Sequence, residues 1–497
     1  MSQTNQSLHS NPPLWLVMLT TAMAGGMGWG IRGQYGHETG AMIAGVLVSL
    51  ILVFLFCPDN RSIHVIRAAA LGTIAMGFGG SMTYGQTIGL THDTPLVGNW
   101  DSLRWGMIGL AIKGGAWIGF FGFFLGLGLG GKRYCPFEMF LLIIGMLTAV
   151  VLGWWLLNSP HDPENKRLPL LYFSDHWKWE PGVELKHRPE IWGGLWCALA
   201  TGILYTTLIK KDVMARNLAL WGLLGGALGF PLGQALQATN AWNPDFFSQS
   251  WVGPFTRRFN WWNIMETVFG TVMGAVLGLG LWLNRKRIGI SSDPDPDVGS
   301  LPWWLISGLL SLHLGLLLLV DFSPFSWIDG VYDLGLMMGL MPLVACVRGN
   351  LWPYLQLLPI TLLPIAGKTL RMLIYSVANP INLSVGWLAY LILPMFYATT
   401  LAISFRLRAT PDGEHPAFIR TTLIFCIWIY FGLNFAFFGF PLLWVHPNAL
   451  LFFIAATGLT LTALFFDPAE CCWSYRAWKK DWLWSRWVSD KGFCLSF

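Results

Sequence analysis

The sequence predicts an all-α polytopic membrane protein. Three observations support this fold class. First, 54% of the residues are apolar and only 11% are charged, and second, the mean hydropathy is +0.52; soluble globular proteins lie outside this range. Third, apolar runs of about 20 residues, the length that spans the hydrocarbon core, occur about 14 times along the chain.

The apolar runs divide the chain into two helical bundles and three polar segments. The predicted spans are 14-31, 40-57, 68-90, 106-130, 137-157, 190-209, 217-238, 262-284, 303-320, 331-347, 352-374, 384-404, 420-441 and 449-466. The predicted domains are an N-terminal tail (1-13), a bundle of about eight helices (14-287), a linker (288-302), a second bundle of about six helices (303-466) and an amphipathic tail (467-497).

The charge distribution predicts the orientation of these spans. Most of the 31 Lys and Arg residues follow even-numbered spans, and basic loops stay on the cytoplasmic side. Both termini, the linker and the tail are therefore expected to be cytoplasmic, in the cell (inner) membrane. The loops after odd-numbered spans are long, aromatic and polar, so we expect the functional face to be extracytoplasmic.

An internal repeat is the second prediction for the first bundle. The segment 71-133 resembles 220-287: each has a Gly-rich helix with a Gly-Gln pair, an outer loop, and a helix carrying LGLGL before a basic stop. The Gly-Gln pair occurs at Gln34, Gln86 and Gln234. Helix hairpins repeated in the same orientation are related by an axis along the membrane normal, which should bring the three glutamines together. Glycine-rich membrane helices also resemble one another by composition alone, and this alternative stays open.

The stretch GWGIRGQYGHETG (28-40) carries the densest polar group near a predicted span. Its glycines are closer together than helix packing alone requires, so we expect a re-entrant or unwound hairpin, which is tolerated at membrane depth only where it lines a cavity. Ionisable residues inside a membrane usually face such a cavity and have a partner. The expected partner of Lys113, in the fourth span, is Glu266 or Glu38.

These observations define a candidate substrate site. Its predicted residues are Arg32, Gln34, His37, Glu38, Gln86, Asp93, Arg104, Lys113, Gln234, Asn263 and Glu266. No His/Asp pair has metal-ligand spacing, so no metal site is predicted. No catalytic motif assigns a catalytic residue, and the sequence leaves any cofactor open.

Two function classes fit this pattern. The first is a permease-like transporter for a small hydroxylated or anionic solute such as a sugar or sugar acid, because aromatic rings stack on sugars while amides and charges bind hydroxyl and acid groups. The alternative is a membrane-embedded transferase or hydrolase acting at the outer face on a lipid-linked or glycan substrate. The expected partners are the lipid bilayer and one of these substrates, with no nucleic acid.

Cysteine labelling tests the predicted topology. In a background whose eight cysteines are replaced by serine, Ser248→Cys should react with a membrane-impermeant maleimide added outside, because it lies in the predicted outer loop 239-261. Ser291→Cys, in the linker, should react only after permeabilisation. The reverse pattern would contradict the topology and the side assigned to the site.

Overall fold

The computed structural model describes residues 11–36, 38–57, 63–78, 84–180, 182, 187–249, 253–289, 302–322, 351–376, 380–408, 416–438, 446–468 and 472–473. The described chain is almost entirely helical. Its only strands are β1 (Phe466–Asp467) and β2 (Cys472–Trp473), which pair antiparallel. The predicted tail helix therefore does not include Cys472 and Trp473, and the rest of that prediction, from residue 474 onward, lies outside the described residues.

The described helices are grouped here by the two bundles that the sequence predicts, 14-287 and 303-466. Those of the first bundle are α1 (Leu14–Tyr35), α2 (Glu38–Phe56), α3 (Ile63–Phe78), α4 (Gly85–His92), α5 (Trp100–Leu129), α6 (Pro136–Leu157), α7 (His176–Trp179), α8 (Trp192–Leu208), α9 (Val213–Trp242), α10 (Pro244–Gln249), α11 (Gly253–Thr256) and α12 (Trp261–Asn284). Those of the second are α13 (Trp303–Phe322), α14 (Trp352–Tyr375), α15 (Leu383–Leu407), α16 (Pro416–Phe438) and α17 (Pro447–Phe465).

Within the described residues, ten helices are long and apolar enough to cross a membrane: α1, α2, α5, α6, α9, α12 and α14 to α17. An apolar helix satisfies its backbone hydrogen bonds internally, as lipid requires. The chain is therefore an all-α integral membrane protein. The shorter apolar helices α3 and α13 fall below this length, and the predicted span 331-347 lies outside the described residues. Fourteen spans and two domains stay predictions.

Six helices of the first bundle form a closed ring. Each packs against the next in the order α1, α2, α3, α5, α9 and α12, and α12 packs back against α1. At one end, called the polar end, α1 and α9 finish and α5 and α12 begin; asparagine side chains accept backbone N–H bonds there, from Ser102 for α5 and from Trp262 and Asn263 for α12. These caps satisfy N–H groups that a helix start leaves free.

Reciprocal glycine contacts hold the two closest helix pairs of the ring together. A methyl group on Gly25 of α1 would overlap the carbonyl oxygen of Gly270 of α12, and the reverse substitution would overlap the carbonyl oxygen of Gly25. Gly114 of α5 and Gly226 of α9 exclude each other's methyl groups in the same way. Small residues at such crossings allow backbone approach, which favours association where lipid removes the hydrophobic driving force.

Within the described residues of the stretch 28-40, which leave out His37, the backbone is helical except at Gly36, so the expected unwound backbone is wrong for these residues. Helix α1 continues to Tyr35 and ends at Gly36, whose φ is +68°, a left-handed conformation suited to glycine. The glycines are explained by packing: a methyl group on Gly28 would overlap Ala44 of α2, and one on Gly30 would overlap Thr267 and Phe452. Dense glycine therefore reflects contacts with several neighbouring helices at once.

The predicted third span, 68-90, is not a single helix. Helix α3 ends within it at Phe78, and helix α4 begins within it at Gly85. Residues 79–83 lie outside the described residues. The Gly-Gln pairs also occupy different positions: Gln34 is in the last turn of α1, Gln86 in the first turn of α4, and Gln234 inside α9. The repeat remains a sequence prediction without structural confirmation.

A lysine of the second bundle fixes the break between α1 and α2. Lys368 of α14 donates to the Tyr35 carbonyl oxygen at 3.0 Å and to Thr39 Oγ1 at 3.0 Å. The Tyr35 hydroxyl also contacts Thr369 Oγ1 at 2.9 Å. A cation at the carboxyl end of a helix is favoured by its free carbonyl groups and dipole. The second bundle therefore supports the end of α1.

Substitution of a contact glycine should lower stability. In Gly226→Ala the methyl group overlaps the Gly114 carbonyl oxygen, and overpacking of this kind costs about 1–3 kcal/mol. We expect a lower midpoint of thermal unfolding in detergent. The matched control is Gly432→Ala in α16, where no described atom lies within 4 Å of the added methyl group; it should be neutral or stabilising, because alanine is the better helix former. Equal midpoints for Gly226→Ala and wild type would contradict the contact.

Candidate functional site

Two buried ion pairs and several of the predicted site residues lie around the short helix α4. This helix packs against α5 and α9, and residues at its start, middle and end are hydrogen-bonded to other elements. Tyr84, which precedes it, interacts with α1, Thr87 with α5, and Thr91 with α9. Two buried ion pairs contact α4 through these residues.

The first ion pair joins α1 to α12. Arg32 Nη1 donates to Glu266 Oε1 at 2.6 Å, and both side chains are almost completely buried. The same nitrogen donates to the Tyr84 hydroxyl, and Trp262 Nε1 donates to Glu266 Oε1 at 3.0 Å. Charged hydrogen bonds are short and strong, so this group fixes the relative position of α1, α12 and the start of α4.

An aromatic cage surrounds the guanidinium group. Arg32 Cζ lies 5.3 Å from the ring centre of Trp29, 5.4 Å from Tyr84 and 5.6 Å from Trp117, within the range of cation–π attraction. The indole rings of Trp29 and Trp117 contact each other edge to face inside the ring of helices, with their centroids 4.9 Å apart. The cage therefore joins α1 and α5, which are not neighbours in the helix ring.

The ion pair keeps unused hydrogen-bonding capacity. Among the described residues, neither Arg32 Nε nor Glu266 Oε2 has a hydrogen-bond partner, although both atoms are buried. A buried polar atom without a partner costs about 1–3 kcal/mol, and more when it belongs to a charged group. A polar ligand could therefore donate a hydrogen bond to Glu266 Oε2 and accept one from the Nε–H of Arg32.

An amide pair stabilises the same layer. Gln34 Nε2 donates to Asn263 Oδ1 at 2.9 Å, and Asn263 Nδ2 donates to the Gly30 carbonyl oxygen at 2.7 Å. Gly33 leaves room for the acid, since a methyl group there would lie 2.8 Å from Glu266 Oε2. Four predicted site residues thus meet between α1 and α12: Arg32, Gln34, Asn263 and Glu266.

The second ion pair lies between α5 and the chain before α8. Lys113 Nζ donates to Glu190 Oε1 at 2.6 Å and to Thr87 Oγ1 at 2.8 Å. Ser174 Oγ donates to the same carboxylate at 2.9 Å, and the Phe173 N–H donates to Glu190 Oε2 at 3.0 Å. The structure thus pairs Lys113 with Glu190, where the sequence led us to expect Glu266 or Glu38. Lys113 is the fourteenth of the 30 residues of α5, about 20 Å along the helix from its start.

The loop beside this pair is well packed. The Tyr172 hydroxyl donates to the Arg188 carbonyl oxygen at 2.9 Å. Burial and the nearby Glu190 carboxylate raise the pKa of Tyr172 above its usual value. Residues 172–174 of the loop 158–180 therefore lie against α5 and cover Glu190.

Three further predicted residues lie around α4, and one lies apart. Gln234 Nε2 donates to Thr91 Oγ1 at 2.7 Å, the Gln86 carbonyl oxygen contacts His176 Nε2 at 3.2 Å, and Asp93 ends the helix through its N–H bond to Gly89. Arg104 is exposed near the start of α5, and its Nη1 lies 3.5 Å from Asp101 Oδ1. His37 and the side chain of Glu38 lie outside the described residues.

Sequence reasoning overlooked several residues of the site. The tyrosine of the MTYGQ stretch stands two residues before Gln86, and this proximity to a Gly-Gln pair was an available signal for Tyr84. Trp262 precedes Glu266 by four residues, the spacing that places two side chains on one helix face. Thr87 and Ser174 carried no such signal, because single hydroxyl residues are common in membrane helices and loops.

A double-mutant cycle tests the first ion pair. Arg32→Met or Glu266→Leu leaves the partner charge buried alone, which costs about 3–5 kcal/mol, so each should lower the midpoint of thermal unfolding. The double variant should recover part of the loss, because an apolar pair can replace a buried ion pair at little cost.

The matched cycle uses Arg104→Met and Asp101→Leu, whose side chains are 72% and 76% exposed. Exposed pairs contribute about 0–1 kcal/mol, so these variants should barely change the midpoint. Losses at Arg32 and Glu266 that simply add in the double variant would contradict a stabilising pair.

Comparisons with known proteins give no relative for this chain. No family model, no curated protein and no solved structure matches it. The functional conclusion therefore rests on the geometry of the chain's own residues.

Proposed function

We propose that this protein is a membrane transporter whose substrate site lies at the Arg32–Glu266 pair and accepts a small hydroxylated or anionic solute such as a sugar acid. The observation that carries the proposal is the unused capacity of this buried pair, Arg32 Nε and Glu266 Oε2. Ionisable residues placed within a membrane bundle usually mark a substrate or ion pathway.

The chemistry of the pair suits a sugar acid. Guanidinium groups bind carboxylates through two parallel hydrogen bonds, so a solute carboxylate is able to compete with Glu266 for Arg32. A solute hydroxyl group supplies the donor that Glu266 Oε2 lacks. The cage rings Trp29, Tyr84 and Trp117 provide flat apolar faces of the kind that stack on sugars.

The interruption of the third predicted span supports transport. Transporter sites are commonly built where a membrane-spanning helix is discontinuous. Here α4 begins beside the Arg32–Glu266 pair and continues past the Lys113–Glu190 pair. If a solute displaced the Glu266 carboxylate from Arg32, the hydrogen bond between Arg32 and Tyr84 would change. A resulting movement of α4 would then reach Thr87, which accepts a hydrogen bond from Lys113.

One observation favours the enzyme alternative. On the side of Lys113 away from the polar end, α5 carries large, fully buried rings, including Trp117, Phe120, Phe121 and Phe124. Such packing suits a site that opens on one side only, as expected for a membrane-embedded transferase or hydrolase at the outer face. Transport requires these rings to move.

Uptake by proteoliposomes tests the proposal. Wild-type protein should accumulate labelled D-glucuronate above the level of protein-free vesicles, with labelled D-glucose as the neutral probe. Arg32→Lys keeps the positive charge beside Glu266 but loses one of the two parallel hydrogen bonds that a guanidinium group makes to a carboxylate. Hydrogen bonds of charged groups contribute about 1.5–3 kcal/mol, so uptake of glucuronate should fall about 10- to 100-fold while the variant still inserts and elutes as wild type.

A control variant and two alternative results make the uptake experiment decisive. Arg167→Gln removes an exposed charge from the outer loop and should leave uptake unchanged. Glucuronate that raises the unfolding midpoint of wild type without accumulating would favour the one-sided enzyme site. A protein that neither binds nor accumulates either probe would contradict the proposed substrate class.

A further inference from the structure

A second group of titratable side chains lies at the other end of α4. One ligand atom each from Asp93, His176 and Glu180 falls within 4.8 Å of the other two. His176 and Glu180 are buried, whereas the Asp93 side chain is 39% exposed. We propose that these three residues form a site for a divalent first-row cation such as Zn²⁺ or Mn²⁺. The proposal does not depend on the transported solute.

Local structure brings the three side chains together. The one-turn helix α7 places His176 and Glu180 four residues apart on the same face, with Nδ1 2.6 Å from Glu180 Oε2. Asp93 follows α4, where Gly89 makes room for it: a methyl group on Gly89 would lie 2.5 Å from Asp93 Oδ2 and 3.4 Å from His176 Cε1. The carboxylate and the imidazole thus approach the same face of α4.

The two carboxylates of this group, Asp93 and Glu180, favour the binding of a cation. Among the described residues, no lysine or arginine forms an ion pair with Asp93 or Glu180. The ionisable groups beside them are histidines: His92 Nδ1 lies 3.9 Å from Asp93 Oδ1, and His176 Nδ1 lies 2.6 Å from Glu180 Oε2. Buried carboxylates are normally paired with cationic groups or bound to metal ions. A divalent cation would neutralise both acids while leaving the imidazole uncharged.

The imidazole has the surroundings of a metal ligand. Ligating histidines usually donate their second ring N–H to a carboxylate or a carbonyl group. His176 Nδ1 lies on the side of the proposed ligand Glu180, which leaves Nε2 to donate to the Gln86 carbonyl oxygen, 3.2 Å away. One nitrogen and two carboxylate oxygens suit Zn²⁺ and Mn²⁺ better than copper or an iron–sulfur cluster.

Binding would connect the loop to the candidate substrate site. His176 and Glu180 belong to the loop that covers Glu190, and Asp93 belongs to the end of α4. A cation shared by these elements would hold α4 against the loop. Loss of the cation should therefore loosen α4 without removing either buried ion pair.

The experiment measures metal binding by the full-length protein in detergent. After chelation and desalting, wild type should bind about one Zn²⁺ per chain in a titration followed by elemental analysis, and Zn²⁺ should raise its midpoint of thermal unfolding. Asp93→Asn and His176→Gln keep size and hydrogen bonding but weaken ligation, so each should lower the affinity at least about 10-fold. Asp93 is partly exposed, which makes Asp93→Asn the variant least able to disturb folding.

The matched control is His161→Gln, a histidine of the same loop outside the group, which should bind Zn²⁺ as wild type does. Mn²⁺ is titrated in parallel to identify the preferred ion. The proposal is overturned if wild type binds neither Zn²⁺ nor Mn²⁺ at about 100 µM, the tighter limit of the affinities of extracellular calcium-binding modules. It is also overturned if Asp93→Asn, eluting as wild type, binds the metal with unchanged affinity.

Discussion

The Arg32–Glu266 ion pair imposes the constraint on which the rest of the first bundle depends. Removing two charges from water is expensive, and their attraction offsets that cost only with close geometry and additional hydrogen bonds. The protein supplies both, with a 2.6 Å contact, a Tyr84 hydroxyl, a Trp262 N–H and three aromatic rings. The glycine crossings between α1 and α12 bring the two charges within reach, so the site and the helix packing require each other.

Most of the helices were predictable from the sequence, because a span of apolar residues is a local property. Their number was harder: span 68-90 is apolar enough on average to suggest one helix, but it contains the end of α3 and the start of α4. The glycine and polar residues GGSMTYGQ (79-86) mark this place in the sequence, and averaging hydropathy over about 20 residues hides them. The glycine-dense stretch 28-40 was misinterpreted for a related reason, since close packing and an unwound backbone both favour glycine.

Only part of the candidate site could be predicted from the sequence, and the pairing of its charged residues could not. Arg32, Lys113 and Glu266 were identified because charges are rare within apolar spans. Their partners were not, because Glu266 is 234 residues from Arg32 and Glu190 is 77 residues from Lys113. Only the ring closure of α12 onto α1 and the return of the loop before α8 bring these residues together.

The contact of Lys368 with the end of α1 has a mechanical consequence. Residues Gln356–Ile360 of α14 form a π-helical turn that contains Pro359, and such turns are places where a helix bends. Lys368 lies beyond that turn and donates a hydrogen bond to the Tyr35 carbonyl oxygen, three residues after Arg32. Bending of α14 at the π-helical turn would therefore move Lys368 and, through this hydrogen bond, the end of α1 that carries the guanidinium group.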